Sequence, residues 1–525
     1  MQFTSWAFLL FLAVLLPVYY LVPKRIQWIV LLLANAVFVC AAGFLGAAFL
    51  LVTIVSVYLA TRGMAHLFQK QRTVLAGMKE THTKDERKQM RLRFERRRRI
   101  VLILCLVLNV GILFTLKYGA AIGRLSSRFF GTQPFFSDLT LTMGISFYTF
   151  SAIAYLLDVL WGTVEAERNP FKLALFLSFF PLLVQGPITR FEQVGKALLA
   201  PHTFSGERFL SASLRIAWGY WKKLIVADRL LVAVKALSAR PDVYRGSFVL
   251  LNMLLYAACL YADFTGGIDI TIGIGEWLGV TVPENFRRPY FSKSIAEYWR
   301  RWHITLGEWF KTYVYYPLSV SKPMRALSIH ARRLGAGFAR RLPVYLATIL
   351  VWALTGIWHG SNRTFLVWGL LNGVVILLSE ECKPLYARFR ARLPKLTESA
   401  AYRAFAVVRT VLLLSSLRLL DCYTSVKDAF SAFFSLFTTW NAHLLLRGGV
   451  QSLGVSWADY GVAAVGVVCM LALSLVQRKG PIRARIQKRG TVFTVSVLLV
   501  LIATILVFGR YGFGFDAGQF IYNRF

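Results

Sequence analysis

The sequence predicts an all-α polytopic membrane protein, and three observations carry this prediction. The 525 residues are 57% hydrophobic, with a mean hydropathy of +0.55, which is more apolar than soluble globular domains are. Long uncharged runs recur along the whole chain, and most approach the roughly 20 residues that cross a bilayer as a helix. They do not alternate in the segments of about 10 residues that build a membrane β-barrel. The runs lie at 4–22, 26–61, 100–116, 139–157, 343–358, 364–379, 404–417, 458–476 and 491–508.

Basic residues cluster between these runs. The formal net charge of +36 raises the question of nucleic-acid binding. The charge is concentrated, however: residues 69–99 hold 12 Lys and Arg against 4 Asp and Glu, and 319–342 and 478–489 each hold 6 basic and no acidic residues. Such clusters mark cytoplasmic loops and also contact anionic lipid headgroups. The pattern therefore predicts membrane lipids as partners and argues against nucleic acid.

The same clusters predict an orientation. Lys24 and Arg25 follow the first run, which places the N-terminus outside, and the basic segment 478–489 precedes the last run, which places the C-terminus outside as well. The first run has no basic segment before it and no small-residue cleavage site. We therefore expect it to be retained and not removed as a signal peptide.

The middle third of the chain has a different character. Between residues 160 and 342 the apolar pieces are short or interrupted by Gly, Pro and charge, as in 179–191, 261–275 and 286–318. Broken helices at membrane depth are tolerated only inside protein or beside a water-filled cavity. We expect the active region here, within one integral membrane domain of roughly 10–12 helices. Its parts are the N-terminal spans 1–140, a core at 141–380 and the C-terminal spans 381–525.

The cysteines indicate neither a disulfide framework nor a metal site. No CxxC motif occurs, and most of the six lie in apolar runs, where a thiol packs as a small hydrophobe. Their positions are Cys40, Cys105, Cys259, Cys382, Cys422 and Cys469.

The segment 286–318 carries the first candidate histidine. A helix over 294–312 would place Trp299, Trp302, Leu306, Trp309 and Phe310 near one stripe, with Glu297 and Arg301 paired at i, i+4 on another face. An interfacial amphipathic helix with aromatic anchors explains this pattern. His303, at the edge of the stripe, fits a ring that faces a cavity better than a solvated charge.

His359 is the second candidate. It lies in LTGIWHGSN (354–362), between two apolar runs. Ionisable residues within spans are rare and tend to face a site or a pathway. A buried structural histidine bonded to a backbone carbonyl explains the position equally well. A neutral imidazole there can also take a proton from a hydroxyl that attacks an activated carbonyl.

The segment NFRRPYFSKSIAEYWRRWHITLGEWFKTYVYYPL (285–318) resembles the signature of membrane-bound O-acyltransferases, the MBOAT family, and in particular its bacterial AlgI/DltB/PatA-like branch. Five further pieces match this branch in the same order, and the resemblance is strong over roughly 140–375. They are GISFYTFSAIAYLLDV (144–159), FFPLLVQGPITRF (179–191), KKLIVADRL (222–230), YADFTGGIDITIGIG (261–275) and LTGIWHGSNRTFLVWGLLNG (354–373).

The resemblance implies a fold and a set of roles. The fold would be a ring of tilted helices, with short or re-entrant ones, around a central tunnel. His359 would be the catalytic histidine, and His303 would line the same tunnel. Support around the tunnel is implied for Arg301, Trp302 and Trp358. Structural roles, as hydrogen-bonded partners at helix breaks, are expected for Asp263, Asp269 and Asn285.

The chain ends in DAGQFIYNRF, which contains Phe520-x-Tyr522-x-x-Phe525. Aromatic residues after a span are commonly interface anchors. The resemblance implies a functional alternative, because some members of this branch, or a small companion protein, end in the same motif. There the tyrosine serves as a relay that accepts the acyl group, and Tyr522 is its counterpart here. A phenolic oxygen suits this task because it is more acidic than an alkyl hydroxyl.

The resemblance also implies substrates, partners and a location. The expected reaction is O-acetylation of a cell-envelope or exported polysaccharide, with acetyl-CoA as the acyl donor and no bound cofactor or metal. An extracellular SGNH-type or DltD-like acyltransferase is the expected partner, and the bacterial plasma (inner) membrane is the expected location, with both termini extracellular or periplasmic. D-alanyl transfer to teichoic acid, from a carrier-protein phosphopantetheine thioester, is the alternative within the family. A transporter or membrane scaffold is the alternative from another class.

Overall fold

A computed structural model describes residues 1–130 and 144–511. Within these ranges the chain is helical, and its only strand-like pairing is an isolated antiparallel bridge between Phe286 and Trp302. The described residues form two compact units: the part up to Ser205 with Ile274–Pro283, and Gly206–Gly273 with residues 284–511. The predicted all-α class is confirmed. The division of one domain at residues 140 and 380 stays a prediction.

The described residues of the first unit form eight α-helices, of which α3 packs against both α4 and α5, and α2 packs against α6. The helices are α1 (Trp6–Leu21), α2 (Gln27–Cys40), α3 (Phe44–Gly77), α4 (Lys84–Phe130), α5 (Ile145–Trp161), α6 (Pro170–Ser178), α7 (Phe180–Gln185) and α8 (Lys196–Leu199).

The predicted interruption within 179–191 is confirmed. Helix α6 ends at Ser178 and α7 begins at Phe180, because Pro181 lacks the N–H that a continuous helix needs. The buried Asn35 side chain closes the gap: it donates to Ser178 Oγ at 3.1 Å and accepts from the Phe180 amide at 3.0 Å. The polar groups of this break are thus satisfied inside the protein, as a break at membrane depth requires.

In the described residues the remaining α-helices belong to the second unit, except for the last turn of the helix Ser247–Trp277, which belongs to the first unit. Turns of π-helix extend α9 and α13. The helices are α9 (Gly206–Trp221), α10 (Asp228–Ala239), α11 (Ser247–Trp277), α12 (Ile295–Trp299), α13 (Ile304–Phe310), α14 (Tyr316–Ser319), α15 (Lys322–His330), α16 (Ala336–His359), α17 (Arg363–Glu381), α18 (Lys383–Arg392), α19 (Pro394–Thr397), α20 (Ala400–Leu417), α21 (Leu419–Cys422), α22 (Val426–Thr438), α23 (Ala442–Leu444), α24 (Trp457–Val476), α25 (Ile482–Gln487) and α26 (Thr491–Phe508).

Seven helices in the described ranges are long and apolar enough to cross a membrane: α3, α4, α11, α16, α17, the stretch that contains α24, and α26. Helices α1 and α5 and the interrupted stretch 170–185 are apolar but shorter. The prediction of a multi-pass membrane protein is confirmed. The total of 10–12 helices, their ring and the orientation of the termini stay predictions.

The predicted interruption of 261–275 is wrong, because these residues belong to the continuous helix α11. Its glycines serve close packing and do not break the helix. A Cβ atom built on Gly219 of α9 would lie 2.7 Å from the carbonyl oxygen of Gly266, so the two backbones approach as small residues allow in membrane helices. Asp263 and Asp269 therefore lie within a helix and not at a helix break.

The predicted helix over 294–312 is also wrong, because the structure divides it into α12 and α13. Between them His303 adopts a left-handed backbone conformation, with φ of 48°, which a helix interior excludes. The turn is held by a neighbouring segment: the Ile304 amide donates to the Asn285 carbonyl at 3.0 Å, and the Arg287 amide donates to the Arg301 carbonyl at 2.9 Å.

Candidate active site

The α16–α17 hairpin positions His359. Two glycines bring the helices together: a Cβ atom on Gly369 would collide with the Trp352 carbonyl oxygen, and one on Gly356 would collide with the Phe365 carbonyl oxygen. Such backbone proximity is the usual role of small residues between membrane helices. His359 is the last residue of α16 and is buried.

Aromatic rings surround the His359 imidazole. Its ring centroid lies 4.9 Å from that of Trp358, 4.9 Å from that of Trp368 and 6.4 Å from that of Phe365. The side chain therefore faces the interior of its unit. This placement fits the predicted interior site, although burial by itself does not distinguish a catalytic histidine from a structural one.

Asn285 fixes the orientation of His303. Its side-chain oxygen lies 3.2 Å from His303 Nδ1 and accepts from the Thr305 amide at 3.1 Å and the Thr305 hydroxyl at 3.0 Å. Because a backbone N–H can only donate, the group that faces it is the amide oxygen of Asn285. His303 Nδ1 must then carry the proton, which leaves the Nε2 lone pair as the acceptor of the neutral ring.

The His303 ring stays uncharged. It lies in the segment between α12 and α13, outside the candidate spans. Burial, reinforced by the nearby Arg418 guanidinium, lowers the pKa of the His303 imidazole to about 3. At neutral pH the ring is therefore a hydrogen-bond acceptor at Nε2 and not a cation.

Trp358 borders both histidines, and Trp302 lies next to His303 in the chain. The Trp358 ring lies 6.2 Å from His303 and 4.9 Å from His359, between ring centroids, so both imidazoles border it. The buried Trp302 precedes His303 and packs at 5.0 Å from the Phe286 ring. Together with Asn285, the structure thus brings five predicted residues into one neighbourhood.

Among the described residues, the buried polar groups without a hydrogen-bond partner include two donors beside His303. They are the Nε1–H of Trp302 and the side-chain NH₂ of Asn285. Buried donors are normally satisfied, so each exception calls for an explanation. Donors beside a neutral imidazole can receive a carbonyl oxygen of a substrate.

Sequence reasoning missed Arg418. Its guanidinium carbon lies 4.9 Å from the ring centroid of Trp368, 5.4 Å from that of Trp302 and 5.8 Å from that of Trp299, at cation–π distances. The buried Asp421 accepts from it at 2.7 Å. The available signal was an arginine at the end of an apolar run, followed three residues later by an aspartate.

The other predicted supporting residues form ion pairs with charged side chains. The predicted Glu297–Arg301 ion pair is confirmed at 2.5 Å, and it is partly exposed. On α11, Asp263 pairs with the fully buried Lys223 at 2.6 Å, which holds the π-helical turn after α9 against α11. Tyr522 and the rest of the tail motif lie outside the described residues.

Asp269 of α11 belongs to a cleft of about 740 Å³ in the second unit. It pairs with Lys222 at 2.6 Å and with Arg215 at 2.9 Å. Four further basic side chains line the cleft beside apolar ones from α24 and α26: Arg287, Arg288, Arg478 and Arg483. The cleft is therefore basic and partly apolar, which suits an anionic molecule with an uncharged arm.

The cleft ends close to the histidine region but is not lined by either histidine. Phe286 and Tyr261 line it, and their ring centroids lie 5.0 Å and 6.5 Å from that of Trp302. The rings of Phe286 and Tyr261 therefore lie between the cleft and Trp302, the residue that precedes His303.

Comparison with known proteins identifies the family. The sequence pattern of MBOAT, the membrane-bound O-acyltransferase family, matches residues 167–412. The chain is 33% identical over 378 residues to the "Probable alginate O-acetylase AlgI" of Azotobacter vinelandii, a match that covers 71% of this chain and 67% of that protein. The chain belongs to the MBOAT family. It is an O-acyltransferase, as the motifs predict.

Other relatives in the MBOAT family differ in their named activities. The chain is 31% identical to the "Peptidoglycan O-acetyltransferase" of Helicobacter pylori, over 57% of this chain and 59% of that protein. It is 26% identical to the "Teichoic acid D-alanyltransferase" of Bacillus subtilis, over 46% of this chain and 59% of that protein. Against five alginate O-acetylase relatives, the chain spans between 44% and 67% of their length.

Proposed function

We propose that this acyltransferase moves an acetyl group from a cytoplasmic thioester donor across the plasma membrane, for O-acetylation of a cell-envelope or exported polysaccharide. The observation that carries the proposal is the burial of His359 beside Trp358, whose ring also borders His303. The names of the relatives favour acetyl over D-alanyl transfer, because identity is 33% and 31% to the acetyl-transferring relatives and 26% to the D-alanyl one.

The basic cleft is the proposed entry for the donor. Arg287, Arg478 and Arg483 line it, and guanidinium groups bind phosphate in a bidentate manner. Acetyl-CoA offers phosphates for these side chains and an uncharged pantetheine arm for the apolar wall. A carrier-protein phosphopantetheine thioester has the same arm with one phosphate, so it is the alternative donor.

In the proposed reaction His359 is the general base. Its neutral imidazole takes the proton of the acceptor hydroxyl as that oxygen attacks the thioester carbonyl carbon. The new C–O bond forms, the C–S bond breaks, and the thiolate leaves with the proton returned by His359. His303, held in one tautomer by Asn285, would help to position the acceptor beside His359, while the single proton of the hydroxyl goes to His359.

The carbonyl oxygen gains negative charge in this step. Trp302 Nε1–H and the Asn285 amide are buried donors that lack partners among the described residues, and we assign them to that oxygen. A preorganised donor in a dry site is worth about 3 kcal/mol in comparable reactions. Trp302→Phe keeps one aromatic ring but removes the N–H and part of the buried indole. We therefore expect a lower unfolding midpoint from the lost packing, and a loss of turnover that persists at temperatures where the variant is fully folded.

The acceptor proposed for this first transfer is Tyr522. The acetylated tyrosine would then hand its group to an extracellular SGNH-type or DltD-like partner, which would modify the polysaccharide. This division fits an O-acyltransferase whose buried histidines lie among membrane helices, away from a soluble polymer.

Label transfer tests the proposal. Purified full-length protein is incubated with acetyl-CoA radiolabelled in the acetyl group, and the label is located by peptide mapping. We expect label on the peptide that contains residues 516–525 in the unsubstituted chain. It should be absent in His359→Ala and in Tyr522→Phe. His330→Ala is the matched control, because His330 is exposed and lies outside the site.

Each other outcome has a definite meaning. Label that persists on the protein in Tyr522→Phe would exclude Tyr522 as the relay and indicate another acceptor residue. No label on the unsubstituted chain would leave direct transfer to an external acceptor. Labelling by a carrier-bound D-alanyl thioester and not by acetyl-CoA would select the D-alanyl alternative. Polysaccharide acetylation that continues in cells with His359→Ala would favour a transporter or scaffold.

A further inference from the structure

A second cavity in the second unit is an apolar groove of about 420 Å³ between α11, α20 and α24. This volume lies within the range of about 300–1,000 Å³ that small-molecule sites occupy. Side chains of three helices form most of its wall: Leu254, Ala258, Val407, Val411, Val467 and Leu471. None of the proposed chemistry at the histidines uses this groove.

The groove opens toward hydrocarbon. Leu254, Val408, Leu412 and Leu471 line it and are largely exposed. In a chain that spans a membrane, exposed leucine and valine side chains on membrane helices face lipid tails. An acyl chain can therefore enter the groove from the bilayer.

One end of the groove carries a charge. The half-buried Arg288 lines that end, and its guanidinium carbon lies 5.8 Å from the Phe291 ring centroid. In the ranges 1–130 and 144–511 Arg288 forms no ion pair, and the nearby Glu297 is bonded to Arg301. Burial, together with the Arg301 and Arg478 guanidiniums, lowers the pKa of Arg288. An anion at this position would stabilise the charged form of the guanidinium.

The charged end lies on the basic side of the unit. Ser474, in the last turn of α24, lines the groove as Arg288 does, and the basic segment 478–489 follows α24 closely. Segments of this kind are cytoplasmic and attract anionic headgroups. The headgroup end of the groove is thus expected at the cytoplasmic leaflet.

We propose that this groove is a binding site for an anionic phospholipid of the cytoplasmic leaflet, with one acyl chain between α11, α20 and α24 and the phosphate on Arg288. An apolar slot that opens to hydrocarbon and ends at a guanidinium with no ion pair in the part of the chain that the structure describes suits a chain and an anion, and a phospholipid supplies both in one molecule. An acetyl group has no chain that would fill the slot.

The site adjoins the proposed donor cleft. Tyr261, Arg288, Met470 and Ser474 line both cavities. A bound lipid would therefore form part of the wall between them. The lipid proposal does not depend on acetyl-CoA being the donor, because its evidence lies in the groove and in Arg288.

Native mass spectrometry of the full-length protein provides the test. The protein is titrated with phosphatidylglycerol or, separately, with phosphatidylcholine of the same chain length. We expect about tenfold tighter binding of phosphatidylglycerol, equivalent to about 1.4 kcal/mol. Arg288→Gln should abolish this preference. Arg287→Gln, which removes the same charge from an exposed neighbour that lines only the cleft, should keep it.

A second pair of variants tests the groove itself. Ala258→Phe fills the slot and should lower the binding of both lipids, whereas Leu250→Phe, on the same helix but outside the groove, should not. If Arg288→Gln does not fold, this pair of variants still tests whether lipid binds in the groove. Equal binding of the two lipids by the unsubstituted chain would indicate annular lipid only and overturn the proposal. So would retained preference in Arg288→Gln, or one-for-one displacement of the lipid by acetyl-CoA, which would assign Arg288 to the donor.

Discussion

At the scale of single residues, the two histidines differ in what holds them. His359 ends α16 among three aromatic rings, whereas His303 is held by Asn285 in a left-handed turn. General-base catalysis contributes about 10²–10⁴-fold to rate. We therefore expect His359→Gln to lower acetyl transfer by at least about 10²-fold, with little change in the midpoint of thermal unfolding. Turnover is measured with acetyl-CoA and the full chain.

The control for this prediction is His330→Gln, which changes an exposed histidine. If His359→Gln lowers the unfolding midpoint strongly and turnover in proportion, the histidine is structural and the assignment as base is wrong.

Arg418 gives a second prediction at this scale. Arg418→Met would leave the buried Asp421 carboxylate without its partner. Breaking a buried pair in this way costs about 3–5 kcal/mol. We expect a large drop in the thermal unfolding midpoint for Arg418→Met and a partial recovery in the double variant Arg418→Met/Asp421→Asn.

Acetyl transfer separates two roles for Arg418. Full activity in the stable double variant would mean that the arginine only neutralises Asp421. Low activity despite recovered stability would mean that the guanidinium over Trp302 and Trp368 positions the tryptophans of the site. An unchanged unfolding midpoint in Arg418→Met would contradict the prediction that the Arg418–Asp421 ion pair stabilises the fold.

At the scale of elements, glycines decide how closely the helices approach. Gly369→Ala would place a methyl group against the Trp352 carbonyl oxygen and separate α16 from α17. We expect a lower unfolding midpoint and reduced acetyl transfer, although no chemical group of the site is lost. Gly337→Ala is the matched control, because its Cβ would meet nothing nearer than an arginine side chain 3.9 Å away.

The control has its own expected result. Alanine is favoured over glycine in a helix by about 1 kcal/mol, so Gly337→Ala should be neutral or slightly stabilising. Equal behaviour of the two variants would show that the hairpin does not depend on close contact of its backbones.

At the scale of the whole molecule, the basic clusters predict which loops are cytoplasmic. We expect residue 81 inside and residue 443 outside. In Thr81→Cys and His443→Cys, a membrane-impermeant maleimide should label intact cells only at position 443 and label position 81 after permeabilisation. The unsubstituted chain corrects for the six natural cysteines. The reverse pattern would invert the orientation and move the proposed donor entry to the outside.

Features that follow from local composition could be predicted from the residues alone. The apolar runs predicted membrane helices because burial of apolar side chains in lipid depends on the residues of the run alone. The motifs around His303 and His359 predicted the family for the same reason, since each is a short contiguous stretch. Pro181 predicted the interruption between α6 and α7, which the structure confirms.

Features that depend on contacts between residues far apart in the chain became visible only in the folded structure. From the sequence, the glycines of α11 predicted a helix break. In the structure they allow close packing, because Gly266 lies against Gly219 of α9. The sequence predicted that His303 lies in a continuous helix. In the structure it lies in a turn, and Asn285 contacts its side chain. Arg418 lies more than 100 residues from Trp302 in sequence, yet its guanidinium packs over that ring. Long-range contacts of this kind leave no local periodicity, so composition and spacing could not predict them.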